Sequence, residues 1–390
     1  MKQITQILVH TSPHADELLG LIILQSWGEG KFPGVNTAKV TPFSGGLLKK
    51  GDLPENVVAI GTGYGLFDEH GKSGNECAAT LIAKELGVRD FKAIEKILKQ
   101  TLQEDRNAAK VKNEIPSIVK ILHMVGLPLQ EVIDWYKVVY SAEYQFEHRL
   151  AMKLSEEEWQ NHIDSAEPTT METGYDIVAG IKGEEEANRW KQVAETAIAM
   201  RQEMFVKAKK HFQQNGKRQT LNTEDFGPLQ IGFVELIKEE NKVSQDEEFG
   251  AVMNSAARFC KIELFVQKGS EGNIQIFTDS KIKIDLTKLA RNIRVAEAKK
   301  RGIKIQSIQT IAMEGTHPEV PMWHLLEGQH SMLFNGSLSA TMIEPTVLTP
   351  GELLEIIKET FGRKEKGFHV DPMAFQPSRA TRQLEGAFAK

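Results

Sequence analysis

Three side chains that can bind a metal ion, His10, His14 and Asp16, lie close together near the start of the chain. They follow a short apolar run at residues 6–9, and residues 16–27 then carry apolar side chains at helical spacing, which predicts a strand, a loop and a helix. Loops beyond the carboxyl ends of strands hold the functional sites of α/β proteins. Neutral imidazole and carboxylate together suit manganese, iron or zinc. The alternative is that Asp16 only caps the helix and that both histidines are exposed.

A second turn with acidic side chains follows the next predicted strand, at residues 57–60. It carries Asp68, Glu69 and His70, and a predicted helix at residues 75–86 comes after it. The glycines between this strand and the turn lack the spacing of a dinucleotide-binding loop. Because strands and helices alternate, we expect a largely parallel sheet whose two turns lie at one edge. A solvated acidic turn is the alternative interpretation.

The two turns together resemble the metal-binding motifs of the DHH superfamily of phosphoesterases, and in particular those of its Myg family of nucleases. The resemblance rests on a strand that ends in His10, on Pro13 before the next ligand, and on the string His-Ala-Asp-Glu at residues 14–17. It extends to the helix after the second turn, at residues 79–87. In all it covers roughly residues 4–110 and 260–340 of the chain.

This resemblance implies a hydrolase that uses one or two Mn²⁺ or similar divalent ions. The implied metal ligands are His10, His14, Asp16, Asp68, His70 and Asp105. Glu69 and His70 take the implied catalytic positions, with Glu69 where most of the family has histidine. The strand at residues 57–60 has no acid where the family has a bridging aspartate, so either Asp68 bridges two ions or only one ion binds. Asp105 is equally open to interpretation as a solvated helix charge.

The C-terminal part of the chain is predicted to form a second α/β domain. A hairpin at residues 265–278, a helix from residue 286 to 301 and loops with glycine and histidine resemble the substrate-binding domain of DHH enzymes. The implied substrate-binding residues are His317, His330, Asn335, Gly336 and Ser337. Trp323 and Phe334 are interpreted as core residues or, alternatively, as surfaces on which a base stacks. Arg291 and Arg294 are interpreted as solvated helix charges or, alternatively, as phosphate ligands.

With 390 residues, the chain is too long for one ordinary core. We expect an α/β fold with a DHH-like parallel-sheet domain at residues 1–150, a helical connector at 151–224, a smaller α/β domain at 225–368 and a flexible tail at 369–390. The two domains would hold a substrate between them.

Composition restricts the function further. A net charge of −5 argues against a protein that coats nucleic acid by bulk charge, and the two cysteines suit a reducing compartment. No apolar run near the start is long enough for a membrane span, so we expect a cytoplasmic protein. The Myg resemblance implies a 3′–5′ exonuclease acting on RNA or short oligonucleotides. The alternatives are a catalytically impaired protein that binds a nucleotide or a partner, and a phosphatase for small molecules.

Overall fold

The structure is a computed structural model that describes most of the chain. The described residues are 2–43, 51–63, 65–69, 75–107, 113–279, 281–307, 309–326, 328, 330–336 and 343–363. His70, Ser337 and the tail predicted at residues 369–390 lie outside them. Contacts between Cα atoms divide the chain into two compact units, Met1–Arg201 and Gln202–Lys390.

The first unit is built on a three-stranded sheet. Its strands are β1 (Gln6–His10), β2 (Lys39–Phe43) and β3 (Val57–Ala59). β1 lies in the centre and pairs in parallel with both neighbours, which confirms the predicted parallel sheet. β2 is absent from the sequence prediction because it contains Pro42 and is mostly half-exposed, as expected of an edge strand.

Among the described residues, seven helices lie within the first unit, and an eighth begins there and ends at Asn215 in the second unit. They are α1 (Ala15–Trp27), α2 (Ala78–Leu86), α3 (Lys92–Asn107), α4 (Ile115–Met124), α5 (Leu129–Ala151), α6 (Glu156–Asp164), α7 (Met171–Lys182) and α8 (Glu184–Asn215). The first ten residues of α1 are all buried, including its two acidic side chains. A helix that is buried on every side forms the centre of a domain, so α1 organises this unit.

The segment predicted as a connector contributes to the core of the first unit. Met171, Val178 and Trp190 are buried in the same apolar cluster as β1 and α1. The indole ring of Trp190 stacks on that of Trp135 with 5.1 Å between ring centroids. The Nε1 of Trp135 also donates to the Trp190 carbonyl at 2.9 Å. α7 and the first half of α8 therefore pack as part of this unit.

The second unit contains a seven-stranded mixed sheet. Its strands are β4 (Lys217–Asn222), β5 (Pro228–Glu235), β6 (Leu264–Lys268), β7 (Ile274–Thr278), β8 (Gly315–His317), β9 (Val320–Leu325) and β10 (Met332–Asn335). They lie in the order β4-β5-β6-β7-β10-β9-β8. The predicted hairpin of β6 and β7 is confirmed as an antiparallel pair. β4 was not predicted from the sequence. Its side chains are almost all exposed at an edge of the sheet, so its residues are polar and show no apolar pattern.

Besides the end of α8, three helices lie wholly within the described part of the second unit. They are α9 (Ala251–Phe259), α10 (Thr287–Arg301) and α11 (Pro350–Phe361). A π-helical turn at Asp246–Gly250 leads into α9. The chain as described is thus a mixed α/β protein with one parallel and one mixed sheet. Among the described residues, no helix has both the length and the apolar character needed to cross a bilayer.

Candidate metal centre

The loop between β1 and α1 is held by hydrogen bonds within the first turn of the helix. His14 is the N-cap residue, with an extended backbone at φ −76° and ψ 173°. Its backbone N–H donates to Oε2 of Glu17 at 3.0 Å. From α4, Nε2 of His123 lies 3.1 Å from the Pro13 carbonyl oxygen. The position of His14 is therefore set both by its own helix and by α4.

Three predicted ligands converge at the start of α1. One atom each from His14, Asp16 and Asp105 can be chosen such that all three lie within 4.8 Å of one another. Ligands at the corners of a tetrahedron around an ion with bonds of about 2.2 Å stand about 3.6 Å apart, so side-chain rotations that move these atoms by about 1 Å bring the set onto one cation. One imidazole and two carboxylates suit a divalent ion such as manganese, iron or zinc.

The electrostatics of Asp16 explain what a cation would contribute there. Its side chain is buried, and Oδ2 accepts a hydrogen bond from the Ala78 N–H at the start of α2, at 3.3 Å. Burial raises the pKa of Asp16 well above its usual value, and the nearby carboxylates of Glu17, Asp105 and Glu69 raise it further. A divalent cation would offset this crowding of negative charge.

His14 is suited to ligation in its neutral form. Burial by surrounding protein lowers the pKa of His14, and the positive charges of Lys120 and His10 lower it further, against the opposing effect of Glu17. Its side chain still reaches solvent. Because a metal binds the lone pair of an unprotonated imidazole, a lowered pKa favours binding at neutral pH.

Glu17 is a residue of the site that the sequence reasoning left without a role. Its buried carboxylate accepts hydrogen bonds from the backbone N–H groups of His10 and His14, each at 3.0 Å. Its Oε1 also lies 3.0 Å from Nδ1 of His10. Burial acts to raise the pKa of Glu17, but these contacts with His10 outweigh it and lower the pKa. The sequence did contain a signal for this role, because a glutamate three residues after a helix N-cap commonly accepts a hydrogen bond from the N-cap backbone.

Gly61 makes room for this carboxylate. The residue follows β3 and has a φ of +64°, a conformation that glycine adopts without strain. A Cβ at this position would lie 2.8 Å from Cγ of Glu17. The glycine-rich segment after β3 therefore lets the chain pass close to Glu17.

The second predicted turn lies at the same edge of the parallel sheet. Phe67 forms a parallel bridge with Ile60, which directly follows β3, and Asp68 comes next and is buried. Glu69 is close enough to Asp16 to raise its pKa. Among the described residues, however, the cluster of potential ligands includes neither Asp68 nor His10. His70 lies outside the described residues, so its predicted roles as ligand and catalytic residue stay predictions.

Two of the predicted substrate-binding residues of the second unit are buried and bonded to their own surroundings. Asn335 donates from Nδ2 to the carbonyls of Met322 and Glu344, and its Oδ1 accepts from the Thr346 N–H at 2.7 Å. The ring nitrogens of His317 contact the Thr310 hydroxyl and the Glu319 N–H. These contacts are typical of residues that connect strands and loops.

His330 and Gly336 have backbones in the left-handed region, with φ of 48° and 69°. The His330 imidazole lies between two carboxylates: Nε2 bonds to Glu314, and Nδ1 is 3.4 Å from Oδ2 of Asp285. The hydrogen bond to Glu314 raises the pKa of His330. A protonated His330 would carry positive charge near the surface. Ser337 is outside the described residues.

Arg294 shows that the prediction of a solvated helix charge was wrong. Its guanidinium group is fully buried and lacks the exposure of a surface charge. Its Nη atoms donate to four backbone carbonyls. These belong to Ile311, Met313, Gly315 and Trp323. Burial lowers the pKa of Arg294 to about 10. Trp323 is itself fully buried, which confirms its interpretation as a core residue.

Comparison of the chain with protein-family models gives no match. No curated protein matches the chain significantly either.

Proposed function

We propose that this protein is a divalent-metal-dependent phosphodiester hydrolase. The observation that carries the proposal is the convergence of His14, Asp16 and Asp105 beside the carboxyl edge of a parallel sheet. Support also comes from the resemblance of residues 14–17 to the ligand string of the Myg branch of DHH phosphoesterases. Three protein ligands leave further coordination positions of a divalent ion for water and substrate.

In this proposal His14, Asp16 and Asp105 hold one cation. A bound divalent cation would act as a Lewis acid that lowers the pKa of water and polarises phosphate oxygens. Glu17 fixes the loop by accepting the N–H groups of both histidines. Its contact with Nδ1 of His10 orients the other ring nitrogen, Nε2, away from the carboxylate. We assign to His10 the exchange of a proton with substrate or water.

The substrates that we propose are RNA or short oligonucleotides, cut from the 3′ end, with Mn²⁺ as cofactor. The Myg resemblance is the support for both. A single ion agrees with β3, whose residues Val57–Ala59 carry no carboxylate that could bridge two ions. The same feature favours the second candidate function, a protein that keeps the metal site and binds a nucleotide without cutting it.

Metal binding is the first test. Isothermal titration of the full chain with Mn²⁺ is expected to give one ion per chain, and His14→Ala, Asp16→Asn and Asp105→Asn are each expected to weaken binding at least about tenfold. Asp134→Asn is the matched control, because Asp134 is an exposed helical aspartate of the same unit that contacts Gln130. Equal Mn²⁺ affinity in all five proteins, or none in the wild type, would refute the proposal.

Hydrolysis is the second test. A 5′-labelled single-stranded oligoribonucleotide is incubated with the wild type and with Asp105→Asn, with and without Mn²⁺. Stepwise shortening from the 3′ end that requires Mn²⁺ and Asp105 would support the exonuclease. Mn²⁺ binding without any cleavage would leave the nucleotide-binding alternative. A series of substrates from a dinucleotide to a 20-mer, compared with small phosphomonoesters, distinguishes a nuclease from a phosphatase.

A further inference from the structure

Helix α4 contacts both segments that supply the metal ligands, one of them through Lys120. Its Nζ donates to Oε1 of Glu104 at 2.9 Å, and Glu104 directly precedes the ligand Asp105. His123 lies three residues further along α4, so the two side chains share one face of the helix. The His123 ring contacts the carbonyl of Pro13, which directly precedes the ligand His14.

The Lys120 ammonium group contacts the segment of α3 that carries Asp105. The Lys120 side chain is 43% exposed, whereas that of Glu104 is 7% exposed. An ammonium group has three N–H donors, and the Glu104 carboxylate accepts one of them. The remaining donors can therefore bind an anion that arrives from solvent.

The charges of the metal centre leave a need for a positively charged group that attracts the substrate. The two carboxylate ligands neutralise a divalent cation, and Glu17 and Glu69 add negative charge around Asp16. An anionic phosphodiester approaching this centre would meet no net attraction without a further positive charge. Lys120 places a positive charge that solvent reaches beside the segment that carries Asp105, whereas the negative charge of its partner Glu104 is buried.

We propose that Lys120 binds the phosphate group of the substrate, next to the ion held by His14, Asp16 and Asp105. This inference rests on the proposed function. Glu104 holds the ammonium group in place, and α4 thereby contributes the phosphate contact of the site. A non-reacting phosphate ligand is expected to need Lys120 as much as a substrate does.

The test measures Mn²⁺ and phosphate binding separately. Substituting Lys120 alone would leave the buried Glu104 carboxylate without this ion pair, so the main variant is Lys120→Met with Glu104→Gln. Lys99→Met with Asp164→Asn is the matched control, since Lys99 has a similar side-chain exposure of 38% and pairs with Asp164 at 3.1 Å. Lys120→Arg tests whether any cation suffices. Mn²⁺ affinity is measured by titration calorimetry, and adenosine 5′-monophosphate affinity by equilibrium dialysis in saturating Mn²⁺.

The double variant at Lys120 is expected to bind Mn²⁺ within about threefold of the wild type, because one positive and one negative charge are removed together. Its affinity for the nucleotide is expected to fall about tenfold to a hundredfold, as for loss of a charged hydrogen bond. Lys120→Arg should retain most of the nucleotide affinity, and the control pair should behave as the wild type.

Two results would overturn the inference while leaving the proposed function intact. One is unchanged nucleotide affinity in the double variant. The other is a parallel loss of Mn²⁺ affinity, which would mean that Lys120 only supports the α3 segment that carries Asp105. A wild type that binds no Mn²⁺ would instead overturn the proposed function, and this inference with it.

Discussion

Glu17 provides the sharpest test of how the first turn of α1 builds the site. Glu17→Gln keeps the shape of the side chain but removes its charge and replaces one acceptor oxygen by an NH₂ group. The wild-type carboxylate accepts two backbone N–H groups and lies beside Nδ1 of His10, each at 3.0 Å. In the variant at least one of these donors faces another donor inside the protein.

The size of the effect follows from these contacts. A hydrogen bond to a charged group contributes about 1.5–3 kcal/mol, so we expect the free energy of unfolding of the first unit to fall by about 2–4 kcal/mol. With a urea m-value of about 2–3 kcal/mol per molar, the midpoint should drop by about 1 M. Because Glu17 orients the loop that holds His14, the affinity for Mn²⁺ should also fall, by about tenfold to a hundredfold.

Urea titration followed by tryptophan fluorescence measures this change, since Trp27, Trp135, Trp159 and Trp190 all lie in the first unit. Glu158→Gln is the matched control. Glu158 occupies the same third helical position in α6 and accepts one backbone N–H at 2.8 Å, but it is exposed. If Glu17→Gln lowered the midpoint no more than this control, or left Mn²⁺ affinity unchanged, the role assigned to Glu17 would be wrong.

Three further predictions concern stability. Gly61→Ala should lower the urea midpoint more than Gly87→Ala, because both glycines have positive φ but only the first would collide with a neighbouring side chain; equal shifts would contradict this. Arg294→Met should lower the free energy of unfolding by about 3 kcal/mol or more, since four buried carbonyls lose their donor; a change under about 1 kcal/mol in chemical denaturation would contradict it. Hydrogen bonding to the Glu314 carboxylate raises the pKa of His330 above the usual 6.5. Protonated His330 therefore stabilises the fold fully below about pH 6.5, and this contribution is lost as the pH rises through the raised pKa. The difference in melting temperature between wild type and His330→Gln should therefore be largest at low pH, and a difference that grows with pH would refute the assignment.

The sequence alone determined the local parts of this protein. The strand that ends at His10, the helix that follows it and the hairpin of β6 and β7 were all predicted, because each is set by hydrophobic periodicity and turn residues over a few positions. The edge strands β2 and β4 were not, because their exposed side chains leave no such pattern.

Only the tertiary structure decided which charged residues meet. The sequence left Asp105 open between a metal ligand and a solvated helix charge, and packing of α3 places it beside Asp16. Arg294 read as a solvated helix charge, yet packing around α10 buries it among carbonyls. The same holds for Glu17, whose contact with His10 joins the end of β1 to the first turn of α1. Periodicity assigns a side chain to a face, but its partners depend on how distant segments pack, and so do its charge state and its chemistry.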